Sequence, residues 1–541
     1  MLELAGGSGH IQVGIVPITS GSHDEMQAAY VAPGAALAQD VRAFLALERW
    51  LLRTFLRLAG RDDASPLVHV ELGASDGGGA SLASAPHALD EVSRRVRALE
   101  PDLVLLHGPG QWAATLAACA RHGCWLLDAS LVQPVEAGAA LLGPILSEEA
   151  ATPFTLQLQR EGVAPVTLAE SWGATRALSV SQQRDNAFRK LPAMLLRGLR
   201  ELVDGNRRPA RSGVARLALA PVESGSSASS GLRALAIMLR LLLDWRRRRK
   251  RARRPWYVLL REQADPIDPA SPMLGPHRSL LAPGADYWAD PFPFSHEGRQ
   301  WLFVEEYAAA ERIGVIRCLE LLPDGTAARH GIVLAEPHHL SFPQVWRRGE
   351  YWYMTVESAD GGKVCLYRSR EPFGGWSCVA DLIQGRTCVD PTLYEHEGAW
   401  YLFANVAESG GNPSDELFLF TADAMEGPYR PHPANPIVSD VRRARMAGRV
   451  FIDEQGRLIR PAQCCAPIYG TAVVFNQIIE LGADAYAERA LSRLDACWAP
   501  GLDGCHTYYR DGRLEVLDAH GEPPPADQRV RLVAPGSANA R

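Results

Sequence analysis

The stretch YWADPFPFSHEGRQWLFVEE, residues 287–306, decides the fold, because the chain repeats its pattern four more times. The pattern is a short apolar strand, a charged turn that contains glycine, and an aromatic strand. The other copies are LSFPQVWRRGEYWYMTVES (340–358), CVDPTLYEHEGAWYLFANV (388–406), RMAGRVFIDEQGRLIRPAQ (445–463) and GLDGCHTYYRDGRLEVLDA (501–519).

The turns of these copies recur at a regular spacing. Glycine supplies the positive φ that a tight hairpin needs, and the aromatic and β-branched flanks suit half-buried strands. A period of this length, with a hairpin in each copy, predicts an all-β five-bladed propeller over residues 255–520. The turn glycines are about 50 to 58 residues apart and are Gly298, Gly349, Gly398, Gly456 and Gly512.

Two copies carry Asp-Pro eight residues before the turn glycine, Asp290-Pro291 and Asp390-Pro391, where the others have Ser341, Gly448 and Gly504. The first strand of a propeller blade lines the central funnel, so we expect both carboxylates to face it. Cleavage of a glycosidic bond requires such a pair of carboxyl groups. The alternative is structural, because an Asp before Pro can cap the start of a strand by bonding to nearby backbone.

Length and composition limit the remaining possibilities. A chain of 541 residues is too long for one core, so we expect at least two domains. The net charge of −6 does not favour a nucleic acid as partner. The ten cysteines are scattered without a C-x-x-C pair, which predicts reduced core cysteines of a cytoplasmic protein, with no metal site and no cofactor. No apolar run reaches about 18 residues, and the start lacks the basic region of a secretory signal.

The N-terminal part alternates apolar strands with helical patterns, which predicts an α/β Rossmann-like domain over residues 1–203 built on a parallel, doubly wound sheet. Further strands and a helix are predicted through 154–203. The predicted strands cover 10–18, 67–73, 102–108 and 124–130, and the helices cover 35–59, 86–99 and 111–121.

Part of this domain resembles the formyltransferase-type fold, in PDLVLLHGPGQWAATLAACARHGCWLLDAS (101–130), TPFTLQLQREG (152–162) and RDNAFRKLPAMLLRGLREL (184–202). A strand of that family ends in Asn-x-His, and a later Asp completes the proton-handling group. This chain has Leu126, Leu127 and Asp128 at that strand end and no clear later Asp. The resemblance therefore implies a degenerate domain, because formyl transfer needs a base beside the attacking amine.

Residues 204–254 form a linker with a basic helix. The sequence LRALAIMLRLLLDWRRRRKRARR, residues 232–254, is apolar in its first half and almost purely cationic in its second. A cationic cluster after an apolar helix predicts attachment to an anionic membrane surface, with the protein peripheral at the inner face. The alternative is a solvated linker helix packed on one domain. We predict a disordered tail for residues 521–541.

Several phrases of the propeller carry a second resemblance: WLFVEEY (301–307), HLSFPQ (339–344), YMTVES (353–358), GPYRPHPANPI (427–437), RMAG (445–448) and RPAQ (460–463). They resemble the domain at the N-terminus of plant glucosamine inositolphosphorylceramide transferases. The propeller of that family is similar to the five-bladed glycosidase fold of arabinanases and fructosidases. The resemblance implies that the propeller binds or acts on a carbohydrate, although the transferase activity of the plant proteins belongs to a different domain.

Glycosidases of this fold use an Asp of blade one as base or nucleophile, an Asp of blade three as modulator, and a Glu as acid. Asp290 and Asp390 match the first two by motif, and Glu357 is the acid candidate, with Glu305 or Glu306 as alternatives. Glu426 is discounted, because its surroundings indicate a turn between outer strands.

A second group of residues is expected to bind the substrate. An Arg beside Tyr and His suits a phosphate or carboxylate on a sugar, because the guanidinium presents a planar two-donor fork. The alternative is that the arginines bridge blades through backbone carbonyls. The substrate-binding candidates are Glu305, His339, Arg445, Arg460, Gln463, Tyr469 and His506.

These observations predict an intracellular carbohydrate-active protein that binds a carbohydrate or sugar-phosphate. It would act on a nucleotide- or lipid-linked sugar in surface polysaccharide or glycoconjugate biosynthesis, by glycosyl transfer or modification in the propeller funnel. Three alternatives stay open at this point: a non-catalytic glycan-binding module, a glycoside hydrolase, and a formyltransferase acting on an amino sugar.

Overall fold

A computed structural model of the chain describes most of the C-terminal half and parts of the N-terminal half. The described residues form two compact units, Met1–Arg246 and Arg247–Arg541. They are 2–6, 9–14, 90, 93–94, 96–98, 100–101, 103–106, 112–127, 144–145, 149–176, 180–203, 230–251, 253–262, 265–284, 286–308, 310–408, 411–496, 498 and 501–535.

The first unit contains a six-stranded sheet. Its strands in spatial and chain order are β1 (Leu2–Gly6), β2 (Gly9–Gly14), β3 (Leu103–Leu106), β4 (Cys124–Leu127), β5 (Ala151–Gln159) and β6 (Val166–Ala174). Strands β2, β3 and β4 are parallel, whereas β1, β5 and β6 pair antiparallel with their neighbours. The described sheet is therefore mixed where we expected a parallel one. The helices are α1 (Ala113–Ala117), α2 (Val180–Val203) and α3 (Ser230–Arg251), the last of which continues into the second unit.

Several N-terminal predictions lie outside the described residues, among them the strand at 67–73, the helix at 35–59, and Asp128. The formyltransferase-like classification of this unit stays a prediction. None of the helices in the described ranges has the length and apolar content that crossing a membrane requires.

The described part of the second unit consists of five sheets, which we number as blades one to five and which are antiparallel except where the C-terminal residues join blade one. Blades one to three each begin at the funnel with the copied hairpin. Blade one contains β9 (Tyr287–His296), β10 (Arg299–Ala308), β11 (Ile313–Leu321) and β12 (Ala327–Leu334); blade two contains β13 (Ser341–Arg348), β14 (Tyr351–Glu357), β15 (Lys363–Ser369) and β16 (Ser377–Gln384); blade three contains β17 (Cys388–His396), β18 (Ala399–Val406), β19 (Leu417–Ala422) and β20 (Arg430–Pro431).

Blade five joins the two ends of the propeller, because strand β28 (Leu514–Gly521) from the C-terminal side pairs with β7 (Trp256–Glu262) from the N-terminal side. This pairing closes the ring of blades. Blade four contains β21 (Arg445–Met446), β22 (Phe451–Ile452), β23 (Leu458–Cys464), β24 (Ala472–Leu481) and β25 (Tyr486–Asp495); blade five contains β26 (Leu502–Gly504), β27 (Tyr508–Asp511), β28 (Leu514–Gly521), β7 (Trp256–Glu262) and β8 (Arg278–Leu280).

At least one hydrogen bond crosses each junction between neighbouring blades, which shows that the five sheets form a closed ring. Four of the five acceptors are side chains near the centre, so polar groups hold the blades together around the funnel. From blade to blade, the bonds run from Phe342 N to Asp290, Asp390 N to Glu357, Met446 N to Asn405, Tyr508 N to the Ala447 carbonyl, and Asp290 N to Asp518.

The hairpins explain why the repeat is visible in the sequence. In blade one, Glu297 and Gly298 have φ values of 50° and 74°, and blade three repeats this with Glu397 and Gly398 at 50° and 82°. Two residues with positive φ match the twist of a two-residue hairpin. The flanking aromatic residues fill the continuous core between blades, where Trp288 and other large side chains are fully buried.

The tail differs from the prediction. A short strand, β29 (Leu532–Val533), pairs in parallel with β12 of blade one, and Val530 N donates to the Ser279 carbonyl. Residues 521–535 therefore belong to the propeller, because their backbone completes the outer edge of blade one. Two 3₁₀ turns, Ala359–Gly361 and Ala526–Gln528, lie in the propeller unit as well.

Candidate functional site

The first strand of blades one, two and three has a β-bulge at one residue with positive φ. The bulged residues are Asp290, Phe342 and Asp390, with φ values of 49°, 49° and 50°, and a proline follows each of them. The strand pairing shifts at all three positions. Proline is tolerated there because a bulge leaves its position without a partner for an N–H.

The column of residues predicted from the turn glycines is therefore one residue off in blade two. Gly349 is the first residue of its hairpin turn, whereas Gly298 is the second in blade one. The equivalent of Asp290 is Phe342, and not Ser341. Asp-Pro in blades one and three and Phe-Pro in blade two are thus variants of one bulge.

A ring of buried polar residues surrounds the centre, one on a strand of each blade. Three of them accept a hydrogen bond from the backbone N–H of the next blade, at 3.1 to 3.2 Å. Each of these bonds satisfies an N–H that the bulge or strand start leaves unpaired inside the protein. The ring consists of Glu305, Glu357, Asn405, Gln463 and Asp518.

Arg445 gathers two of the predicted catalytic carboxylates. Its Nε lies 2.6 Å from Oδ2 of Asp390, and its Nη2 lies 3.3 Å from both Oδ1 of Asp390 and Oε2 of Glu357. Gln463 donates to Asp390 Oδ2 at 2.8 Å. The guanidinium stacks over the ring of Tyr469 at 4.9 Å, and that ring is exposed. Acidic, basic and aromatic groups from blades two, three and four therefore meet at one place.

His506 holds the other predicted catalytic carboxylate. Its Nε2 lies 3.3 Å from Oδ1 of Asp290, and its Nδ1 lies 2.6 Å from Oδ2 of Asp518. Asp518 Oδ1 also accepts the backbone N–H groups of His506 and Thr507, at 2.8 and 3.0 Å. The bulge of blade one is thereby fixed to blade five through a buried Asp-His-Asp row.

Burial sets the protonation of these groups. It raises the pKa of Glu357 well above its usual value, and the charge of Asp390 raises it further. Burial also raises the pKa of Asp290, although His506 opposes the shift. For His506, burial lowers the pKa, but the carboxylates of Asp518 and Asp290 outweigh it and raise the value to about 9. Glu357 and Asp290 therefore keep a proton to a higher pH than exposed carboxyl groups do.

Asp290, His506 and Asp518 also bring one potential metal ligand each within 4.8 Å of one another. With a pKa of about 9, however, His506 carries protons on both ring nitrogens at neutral pH. A doubly protonated imidazole offers no lone pair to a metal. The arrangement therefore fits an ion network better than a metal centre.

Glu305 and Glu306 point to opposite sides of their strand, as neighbouring residues in a strand must. Glu305 lies 3.2 Å from His339 Nε2, and this hydrogen bond raises the pKa of His339. Glu306 instead forms ion pairs with Arg317 and Arg329. Glu306 is therefore not available as an acid, whereas Glu305 and His339 form a separate pair between blades one and two.

Two arginines make contacts that differ from the expected substrate binding. Arg460 is fully buried, and its Nε and Nη2 lie 2.7 Å from the carboxylate of Glu488, with Nη2 also bonded to the Arg443 carbonyl. It is thus a structural residue of blade four and does not join the other candidates. Arg445 does join them, but Asp390 and Glu357 occupy its two-donor fork. It therefore does not offer that fork to a phosphate.

Sequence reasoning missed Asp518, Asn405 and Trp256. The first two follow the apolar part of an aromatic strand in the phrases VLDA and FANV, at the place that Glu357 takes in TVES. This recurring polar position was the available signal. Trp256 packs 4.2 Å from His506 and lies on the first strand of the propeller, outside the copies, so no repeat pointed to it.

The fold and the site define a five-bladed propeller with a carboxylate-lined centre. Residues 269–495 match the family described as "Glucosamine inositolphosphorylceramide transferase 1, N-terminal". The rice (Oryza sativa subsp. japonica) protein named Glucosamine inositolphosphorylceramide transferase 1 is 31% identical over 208 residues, which cover 38% of this chain and 28% of the plant protein. The Arabidopsis thaliana protein of the same name is 30% identical over 208 residues, covering 38% and 27%.

These matches support the family resemblance for the propeller, and the chain spans under a third of the length of the plant relatives. Among solved structures, Zg3597, a family 117 glycoside hydrolase from Zobellia galactanivorans, is 14% identical. It covers 49% of this chain and 90% of its own length, with a TM-score of 0.32. The assignment of the fold rests on the five sheets themselves.

Proposed function

We propose that the propeller centre binds the sugar of a nucleotide- or lipid-linked glycoconjugate and transfers or modifies it. The observation that carries this proposal is the cluster of Asp390, Glu357 and Arg445, with Asp290 and His506 beside it. Proton transfer at a glycosidic oxygen needs two carboxyl groups, one that stays protonated and acts as the acid and one that is ionised. The names of the plant relatives support a sugar conjugate as the substrate class.

Glu357 takes the role of the acid. Its side chain is 11% exposed, compared with 2% for Asp390, so it is the more accessible of the two. Its pKa is raised, mainly by burial and further by Asp390, which keeps a proton available for the leaving oxygen. Asp390 then acts as the modulator, and Arg445 holds both carboxyl groups in place.

Asp290 is the base or nucleophile candidate. Its Oδ2 accepts the Phe342 N–H, whereas Oδ1 has His506 as neighbour and receives no hydrogen bond of good geometry. Oδ1 is buried, so a substrate reaches it only when the centre opens, and the His506 cation beside it balances its charge. Tyr469, which is 43% exposed, offers an aromatic face to the ring of the sugar.

The test uses the full chain and a panel of UDP-, GDP- and polyprenyl-phosphate-linked sugars, with mass spectrometry of the products. We expect turnover of at least one conjugate, and a loss of about 10²-fold or more in Glu357→Gln. The amide still accepts the Asp390 N–H, so the melting temperature should stay unchanged. Glu426→Gln, an exposed glutamate of an outer turn, is the matched control.

The products distinguish the alternatives. Release of the free sugar to water favours a glycoside hydrolase. Binding of a sugar without turnover favours a glycan-binding module. The hydrogen bonds that the carboxylates make within the protein would be consistent with such a module, because they hold these groups in structural roles. Turnover that Glu357→Gln leaves intact would contradict the proposed site.

We also propose that α3 attaches the protein to an anionic membrane surface at the inner face of the membrane. Leu239, Leu242 and Trp245 are exposed, and the cationic run 246–251 follows them in the same helix. Such a helix binds through apolar contact and attraction to anionic lipid. Sedimentation with phosphatidylglycerol vesicles but not with phosphatidylcholine vesicles is expected; equal recovery with both would refute the attraction.

A further inference from the structure

The outer pair of strands in blade two carries a cluster of thiols that the proposed function does not use. Cys365 lies on β15 directly opposite Asp381 on β16, and Cys378 lies on β16 opposite Tyr367. The strand pairing shifts between these two positions, which brings Cys378 toward Cys365. One ligand atom from each of Cys365, Cys378 and Asp381 falls within 4.8 Å of the others.

Asp381 is the centre of this cluster. Its Oδ1 accepts from Cys365 Sγ at 3.2 Å, from Cys378 Sγ at 3.7 Å and from Lys363 Nζ at 2.9 Å. Gln384 donates to its other oxygen at 3.0 Å. The carboxylate is thus fixed in the position where both thiols point at one oxygen.

Cys378 differs from the other cysteines of the described ranges, in which eight are buried and Cys378 alone is exposed. The expectation that the cysteines are core residues is therefore wrong for this one. An exposed thiol next to a second thiol and a carboxylate is accessible to an ion from solvent.

We propose that Cys365, Cys378 and Asp381 bind a thiophilic divalent cation, Zn²⁺ in particular, with water as the fourth ligand. Zinc takes sulfur at about 2.3 Å and carboxylate oxygen at about 2.0 Å in a tetrahedron, which places sulfur and oxygen about 3.5 Å apart. The two sulfur–oxygen distances of 3.2 and 3.7 Å lie on either side of that value. The ligands therefore need only small movements to close around the ion.

Charge supports the same assignment. Two thiolates and a carboxylate carry −3, so a divalent cation leaves −1, which the Lys363 ammonium can neutralise. Binding releases the two thiol protons to solvent, as metal binding by cysteine requires. The Lys363 side chain is 42% exposed and is free to turn away from the oxygen that the ion takes.

The experiment is a titration of the reduced, chelator-treated full chain with Co²⁺, followed by displacement with Zn²⁺. We expect one equivalent of Co²⁺ to give the thiolate charge-transfer band and the intense visible bands of a tetrahedral site, and Zn²⁺ to remove both. Cys378→Ser and Asp381→Asn change exposed side chains and should weaken binding at least about 10-fold. Asp423→Asn, an exposed carboxylate in blade three, is the control and should bind like the wild type.

Absence of a thiolate band in the wild-type protein would overturn the proposal. Wild-type affinity in either Cys378→Ser or Asp381→Asn would overturn it as well. The readout is independent of sugar turnover, so the two proposals can fail separately.

Discussion

Raising the pH should remove stability from the propeller through His506. The folded state raises the pKa of this histidine from its usual 6.5 to about 9, because the carboxylates of Asp518 and Asp290 outweigh the effect of burial. A group with a raised folded pKa stabilises the protein fully below its unfolded pKa and loses that effect as the pH passes the folded pKa. A folded pKa about 2.5 above the unfolded one contributes about 3 kcal/mol to the free energy of unfolding. This contribution is lost as the pH rises from about 6.5 to about 9.

The assay is urea unfolding of the full chain at a series of pH values, followed by circular dichroism, with His506→Gln and His277→Gln beside the wild type. The free energy of unfolding of the wild type should exceed that of His506→Gln at pH 6, and the gap should shrink by up to about 3 kcal/mol by pH 9.5. His277 lies outside the site, so His277→Gln should follow the wild type. A gap that stays constant over this range would refute the charged Asp-His-Asp row.

Three further predictions concern the two units. A fragment of residues 255–535 should fold alone and melt at a higher temperature than 255–520, because only the longer one contains β29 and the Val530 N–H that bonds to the Ser279 carbonyl; equal melting temperatures would contradict this. Arg460→Met should lower the free energy of unfolding in urea by about 1–3 kcal/mol, since the buried Glu488 loses one of its two arginine partners and keeps Arg443, and it should leave sugar binding intact; a selective loss of binding would restore Arg460 to the site. The full chain should not transfer a formyl group from a folate donor to an amino-sugar nucleotide, because Leu126, Leu127 and Asp128 stand where Asn-x-His is expected; a formylated product in mass spectrometry would overturn this.

The architecture of the propeller was predictable because its hairpins are encoded locally. Glu297-Gly298 and Glu397-Gly398 need positive φ at both positions, and glycine with its charged neighbour marks them in the sequence. The closing of blade five was not predictable in this way, because β7 lies about 250 residues before β28 and matches no copy. Pairing at such separation depends on the whole ring.

The site was predicted in part. Asp290 and Asp390 share a bulge as the Asp-Pro repeat indicated, but a change of turn type moved the equivalent position in blade two from Ser341 to Phe342. The roles of neighbouring or similar residues depended on the direction of side chains, which single-sequence patterns leave open. Arg460 turned to Glu488 within blade four, although its phrase RPAQ also contains Gln463 of the central ring.

The most direct test of the central claim is a crystal structure of Glu357→Gln with the sugar conjugate that the wild type turns over fastest. The variant removes the acid while it preserves the backbone bond of Asp390, so the substrate should accumulate intact. We predict that the sugar lies in the propeller centre, with its glycosidic oxygen within hydrogen-bond distance of the side chain at position 357 and its ring near Asp290 Oδ1 and Tyr469. A conjugate bound elsewhere on the chain, with the centre empty, would contradict the account.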